Sequence, residues 1–289
     1  MVVIENDFLH AEINELGAEL KSLKCGDTQY IWQGSEEYWK GSSPIMFPIC
    51  SGLKDDEYIL DGKTFVLGKH GFARLEVFEV ERFSPSCVTF LLRSNEETLK
   101  KYPFEFEFRV TFSLDEKQLS VKYDVKNLSG KEMYFSVGAH EGYYCPEGIE
   151  EYDIIFPQKE TLVSTILEGN LLGYGEKTVL EDSDTFALKY DYLRIDEKTY
   201  DALVFQNVKS KSVILKNRNN GKAVKVSFEG FPYLLLWTIR PGAPYICIEP
   251  WCGISDRTDT NKDIKTKQGI NKLAKGESFV RTHYIEILK

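Results

Sequence analysis

The sequence predicts an all-β protein, one large antiparallel β-sandwich with very little helix. Three observations carry that expectation. Apolar and polar residues alternate with period two over many short segments, which puts one face of each strand in a core and the other in water. The apolar set is rich in residues that suit pleated, half-buried surfaces, with 18 Phe, 16 Tyr and 4 Trp against 3 Met. Turn signals separate the segments at short intervals, while helix signals are scarce.

Taken in order, Glu96 to Lys101 is expected to form one short turn of helix, which Pro103 stops. Phe104, Phe106, Phe108, Val110 and Phe112 then alternate with Glu105, Glu107, Arg109 and Thr111. After a polar turn at Asp115 and Glu116, Leu119, Val121, Tyr123 and Val125 do the same. The chain turns again at Asn127 to Gly130, and Met133, Phe135 and Val137 lead into Gly138-Ala139-His140. These segments read as a three-strand antiparallel meander. Asn220-Gly221, a favoured type I′ pair, marks a second hairpin between Val213-Ile214-Leu215 and Val224 to Phe228. No repeat, low-complexity tract or linker divides the chain, so residues 1–289 read as a single domain.

Composition narrows the function. With 45 acidic and 36 basic residues the net charge is -9, which gives no electrostatic attraction to a phosphate backbone, so nucleic acid is not an expected partner. No stretch approaches the ~18 apolar residues of a membrane helix. The amino terminus lacks the basic-then-apolar layout of a signal peptide, which points to the cytoplasm. Cys25, Cys50, Cys87, Cys145, Cys247 and Cys252 are scattered, which suits free thiols in a reducing compartment. Cys247 and Cys252 lack a second Cys/His pair with zinc-site spacing, so no metal is expected. Without a phosphate-cradling glycine loop, nucleophile elbow or dinucleotide fingerprint, no cofactor is expected either.

Among four histidines, His10 and His283 lie in strand-like segments and fit structural or surface roles. His70, opening His70-Gly71-Phe72-Ala73-Arg74, and His140, closing Gly138-Ala139-His140, sit beside glycine in turn-like contexts. Each fits a satisfied structural histidine as well as a functional one. Glu249 ends the apolar run Tyr245-Ile246-Cys247-Ile248, where burial would raise its pKa toward the range of a general base. It fits an ion pair closing the sandwich equally well. Trp237 and Trp251 offer flat faces for a sugar ring, or for the core.

Together the motifs resemble those of the aldose 1-epimerase (galactose mutarotase-like) family, in order and along nearly the whole chain. They run from Gly17-Ala18-Glu19-Leu20 and Pro44-Ile45-Met46-Phe47-Pro48 through His70-Gly71-Phe72-Ala73-Arg74, Tyr102-Pro103-Phe104 and Val137-Gly138-Ala139-His140. Trp237-Thr238, Ile248-Glu249-Pro250-Trp251 and Lys267-Gln268-Gly269-Ile270 complete them. The resemblance implies a large antiparallel supersandwich that interconverts the α and β anomers of a free hexose, with no cofactor. By motif it makes Glu249 the base that takes the C1 hydroxyl proton and His140 the acid that protonates the ring oxygen. His70 orients the substrate and stabilises charge.

The same resemblance implies that Asp201, Arg74, Lys54 and Trp237 bind substrate. Ser51-Gly52-Leu53-Lys54 stands where galactose mutarotases proper carry an Asn-Arg pair, with Lys54 partly replacing the arginine. Asp201 lacks the histidine and asparagine that follow the family aspartate, and Glu141 replaces the proline after the acid histidine. Arg74 matches the second arginine of the hexose-6-phosphate branch. A hexose-6-phosphate 1-epimerase, a non-catalytic carbohydrate-binding sandwich and a metal-dependent isomerase of another β fold are the alternatives. Convergence of His70, His140, Asp201 and Glu249 on one open cleft separates the enzyme from the non-catalytic sandwich, and metal analysis of purified protein settles the metal-dependent reading.

Overall fold

The computed structural model describes residues 1–193 and 202–288. Its main sheet has 14 strands. From Val137–Gly138 it passes through Tyr245–Cys252, Tyr233–Trp237, Leu203–Phe205, Tyr152–Glu168, Ser212–Asn217, Ala223–Ser227 and Ser278–Ile287. Gln118–Asn127, Phe106–Asp115, Cys87–Arg93 and Glu79–Ser84 complete the path, while Gly142–Tyr144 and Leu171–Ala187 pair beside it. A separate four-stranded sheet holds the amino-terminal strands from Val2 to Gln29. The architecture is the all-β antiparallel sandwich that the alternating pattern predicts.

Alternation becomes packing most clearly in Phe106–Asp115, whose Phe106, Phe108, Val110, Phe112 and Leu114 are buried while the residues between them are not. A fully buried side chain of this kind contributes about 2–3 kcal/mol. Phe47 stacks on Phe108 at 4.6 Å and meets Phe106 edge-on at 5.0 Å, so the Pro44–Pro48 segment is wedged into this aromatic core. From there it supports both candidate histidines. The Phe47 carbonyl accepts from Phe72 and Ala73 N–H, each at 3.1 Å, just after His70. Met46 exchanges two backbone hydrogen bonds, of 3.1 and 3.2 Å, with Gly138, two residues before His140.

Helix Glu96–Lys101 forms as expected, capped by the Asn95 side chain. The meander does not. Gln118–Asn127 pairs with Phe106–Asp115, but its other neighbour is the carboxy-terminal strand Ser278–Ile287. Met133–Phe135 pairs instead with Asn271–Leu273, and all three of its residues are buried, a pattern without period two. The second hairpin is correct in its strands but not in its turn. Asn217 N–H bonds the Lys222 carbonyl at 2.9 Å, and Asn217 Oδ1 accepts from the Asn219 and Asn220 N–H groups. The side-chain cap favours this wider loop, in which Gly221 but not Asn220 has a positive φ.

Candidate active site

Strand register places the central pair. Val137–Gly138 and Gly142–Tyr144 pair with Tyr245–Cys252 in one continuous register, Gly138 opposite Trp251 and Gly142 opposite Cys247. Continued between them, it sets His140 opposite Glu249. Backbone bonds from Ala139 N–H to Pro250 (3.1 Å) and from Ile248 N–H to Glu141 (3.3 Å) flank the two. Directly opposed residues share a face of the sheet. His140 Nε2 therefore lies 3.6 Å from Glu249 Oε2. The small residue before them is required: a Cβ on Gly138 would come within 2.6 Å of Trp251 Cδ1 and 2.9 Å of Met46 Cε. Trp251 in turn ties Nε1 to the Ala139 carbonyl at 3.0 Å, fixing the entry to His140.

Both groups are shielded, Glu249 at 1% and His140 at 8% exposure. Trp39 tilts over the His140 ring at 5.1 Å and Trp237 meets it edge-on at 5.5 Å. Loss of hydration penalises charged forms. Burial pushes the Glu249 carboxyl well above its usual range, with the Glu141 charge adding to the effect and Lys69 opposing it. Burial also pushes His140 down to about 3, and Lys69 and Arg74 act in the same direction. A carboxylate across the cleft would favour an imidazolium at His140, and burial overrides that preference. In the free cleft desolvation outweighs attraction, and the pair's shared proton belongs to the carboxyl.

His70 sits in the left-handed region at φ 66°, and a reciprocal clamp holds it there. Its N–H donates to the Ser51 carbonyl at 2.8 Å, while Ser51 N–H donates to His70 Nδ1 at 3.1 Å. With Nδ1 occupied as an acceptor, a neutral ring carries its proton on Nε2. Burial holds the ring neutral by pushing its pKa well below the usual range, and His140, Lys69 and Arg74 reinforce this. Its ring lies edge-on to His140 at 5.4 Å. The neighbouring Gly71 is needed for close approach, since a Cβ there would lie 2.3 Å from the Phe47 carbonyl oxygen.

His70, His140, Glu249, Arg74 and Trp237 all line one cleft of about 320 Å³, a volume suited to a small ligand. Lys69, Asn170 and Trp39 join them. Lys69 Nζ donates to Asn170 Oδ1 at 2.7 Å, and Arg74 Nη2 donates to the Lys69 carbonyl at 3.3 Å. Sequence reasoning missed these three. Lys69 abuts a singled-out histidine, but Asn170, at the tip of the hairpin Tyr152–Glu168/Leu171–Ala187, gives no local signal.

Lys54 is a correction. It does not line the cleft; its amine donates to the Thr258 carbonyl at 2.8 Å and its N–H to Asp256 at 3.0 Å, so it is committed to a loop contact. Asp201 lies outside the described residues. Cys247 places its sulfur within 4.8 Å of the His140 and Glu249 ligand atoms. Its thiol does not line the cleft, however, and burial pushes its pKa well up, which disfavours the thiolate a metal would need. The chemistry of the set fits proton transfer better than metal ligation.

The fold is that of the galactose mutarotase-like proteins. An X-ray structure of a galactose mutarotase related enzyme from Lactobacillus acidophilus superposes with a TM-score of 0.93 at 35% identity, covering 100% of this chain and 97% of that one. A galactose mutarotase-like protein from Lactobacillus casei ATCC 334 gives a TM-score of 0.92 at 30% identity, covering 99% of each chain. Protein LacX of Lactococcus lactis subsp. lactis is 32% identical, again over 99% of both chains. The aldose 1-epimerase family model matches residues 1–279. The chain belongs to the aldose 1-epimerase family.

Proposed function

We propose that the protein is an aldose 1-epimerase, a mutarotase that interconverts the α and β anomers of a hexose by general acid/base ring opening and closure. The observation that carries this reading is the 3.6 Å approach of His140 to Glu249 across one strand pair, inside a cleft walled by indole rings. Mutarotation requires one proton taken from O1 and one given to the ring oxygen, with no external nucleophile. Two buried groups that share a single proton match that requirement.

Glu249 takes the O1 proton and His140 protonates the ring oxygen in the opening direction; closure reverses both transfers. The reacting state is carboxylate plus imidazolium, which differs from the resting state only in where one proton sits. Sugar hydroxyls donating to Glu249, together with the nearby Lys69 charge, favour the carboxylate once substrate displaces water. His70 offers its Nε2–H to the reacting oxygens, while Trp237 and Trp39 pack on the apolar face of the ring. Asp201 is assigned to hydroxyl binding on its motif alone. The six free cysteines suit a reducing cytoplasm, where we place the protein.

A second reading, a hexose-6-phosphate 1-epimerase, is favoured by the two cations that line the cleft and by the buried, unpartnered Nε of Arg74. Polarimetry or NMR of freshly dissolved α-anomers of glucose, galactose and their 6-phosphates tests both. Acceleration with free hexoses supports the first reading, and acceleration confined to phosphates selects the second. Binding without acceleration for any of them leaves a non-catalytic carbohydrate-binding protein and refutes both.

A further inference from the structure

The residue after His140 faces the other way. Successive strand residues alternate between faces, so the register that turns His140 into the cleft turns Glu141 into the sandwich core, opposite Ile248. There Glu141, 3% exposed, brings Oε1 to 3.0 Å from Nε2 of His283, which is 0% exposed on the strand Ser278–Ile287. Behind the cleft pair thus lies a second carboxyl–imidazole pair, attached to it through one peptide unit.

This inner pair is costly to bury. Glu141 Oε2, His283 Nδ1 and the Tyr123 and Tyr143 hydroxyls are buried without hydrogen-bond partners among the described residues. An apolar pair of similar volume at such a position is often neutral or stabilising. What the pair does supply is a charge and a tether at one place. Its tether joins the His140 segment to the carboxy-terminal strand. Its charge lies on the reverse face of the strand pair that carries Glu249.

We infer that Glu141, held by His283, is a positioning residue for the proposed epimerase reaction: it fixes the His140 segment against Glu249 and lays negative charge behind that carboxyl. This inference rests on the mutarotase reading for its catalytic meaning, though the electrostatic coupling itself does not. The coupling agrees with the direction in which Glu141 shifts Glu249, upward and in concert with burial. Groups facing Glu141 from the packed elements are His283, Tyr123 on Gln118–Asn127 and Tyr143 on Gly142–Tyr144, while Cys247 lies across the sheet on the Glu249 face. Burial pushes the Tyr123, Tyr143 and Cys247 values well up, so these three stay neutral at working pH.

Glu141→Gln keeps the shape and an acceptor for His283 while removing the charge. The alkaline limb of the kcat/KM profile, where the proton held on Glu249 is lost, should then move down by about one pH unit, and Glu141→Asp, which restores a charge, should recover much of the shift. In parallel, the Glu249 carboxyl should be followed by 13C NMR, assigned by its loss in Glu249→Gln. Its titration should fall by a similar amount in Glu141→Gln. If Glu141→Gln does not fold, the double variant Glu141→Leu/His283→Leu removes both partners, and the same downward shift is expected. An unchanged carboxyl titration in a folded charge-removed variant overturns the inference. A shifted titration in a protein that anomerises no sugar would instead uphold the coupling and reject the epimerase reading.

Discussion

Replacing Glu249 by Gln keeps volume and a hydrogen-bonding head but removes the group that accepts the O1 proton. Glu249 is the one carboxyl among the described residues that line the cleft. The remaining acceptor is His140, neutral and 3.6 Å away. General bases contribute about 10²–10⁴-fold, and partial takeover by that imidazole sets the expected loss toward the lower end, about 10²–10³-fold in kcat. At about 1.36 kcal/mol per decade this is roughly 3–4 kcal/mol of lost transition-state stabilisation. The assay is anomer exchange by NMR, with circular dichroism to establish folding. Near-normal turnover by a folded Glu249→Gln protein would remove Glu249 from the role of base.

The same substitution has an opposite effect on stability. Burial raises the folded pKa of Glu249 above its reference value of 4.5. Its neutral form therefore stabilises the fold at low pH, and that contribution is lost as pH rises from 4.5 toward the folded value, by about 1.4 kcal/mol per unit at most. Gln titrates nowhere. The variant should thus melt progressively higher than wild type as pH is raised from 5 to 8 in thermal scans. A variant that loses ground over that range would show that the carboxyl is better solvated than its 1% exposure implies.

Further outcomes follow from the same geometry. His140→Asn should lose more activity than His70→Asn, because His140 carries a transferred proton while His70 only donates a hydrogen bond; if NMR exchange rates rank them the other way, the acid assignment passes to His70. EDTA should leave anomerisation rates unchanged, since Glu249 and His140 are needed as proton carriers; reproducible loss restored by one divalent metal would overturn this. Lys267→Met should destabilise by about 3–5 kcal/mol in denaturant titrations, because Lys267 and Asp256, each 3% exposed at the side chain, pair at 2.8 Å. A variant within 1 kcal/mol of wild type would show that the Lys54 N–H satisfies Asp256 alone.

Local pattern made the strands legible because alternation is a property of consecutive residues. It could not give their neighbours. Gln118–Asn127 finds its second partner in Ser278–Ile287, more than 150 positions away, and nothing in either segment encodes that choice. The site divides along the same line. His70, His140 and Glu249 stood out through glycine contexts and a buried strand end, and the family motifs gave them roles. Asn170 reaches the cleft only because a long hairpin folds back, and Lys54 is drawn away by the Thr258 carbonyl. Protonation follows the same line: the sequence pairs an acid with a base, but only the depth of burial shows that desolvation wins.

That depth explains why the reactive pair sits on a sheet and not on a mobile loop. Two side chains held directly across adjacent strands keep their separation without spending conformational entropy on each turnover. Backbone bonds on both sides, from Ala139 to Pro250 and from Ile248 to Glu141, resist any slip in register. A one-residue slip would exchange faces, sending His140 inward and Glu141 into the cleft. The acid–base pair and the inner Glu141–His283 pair are therefore fixed by one constraint. A substitution that loosens this register, such as Gly138→Ala with its 2.6 Å conflict at Trp251, should damage both faces together.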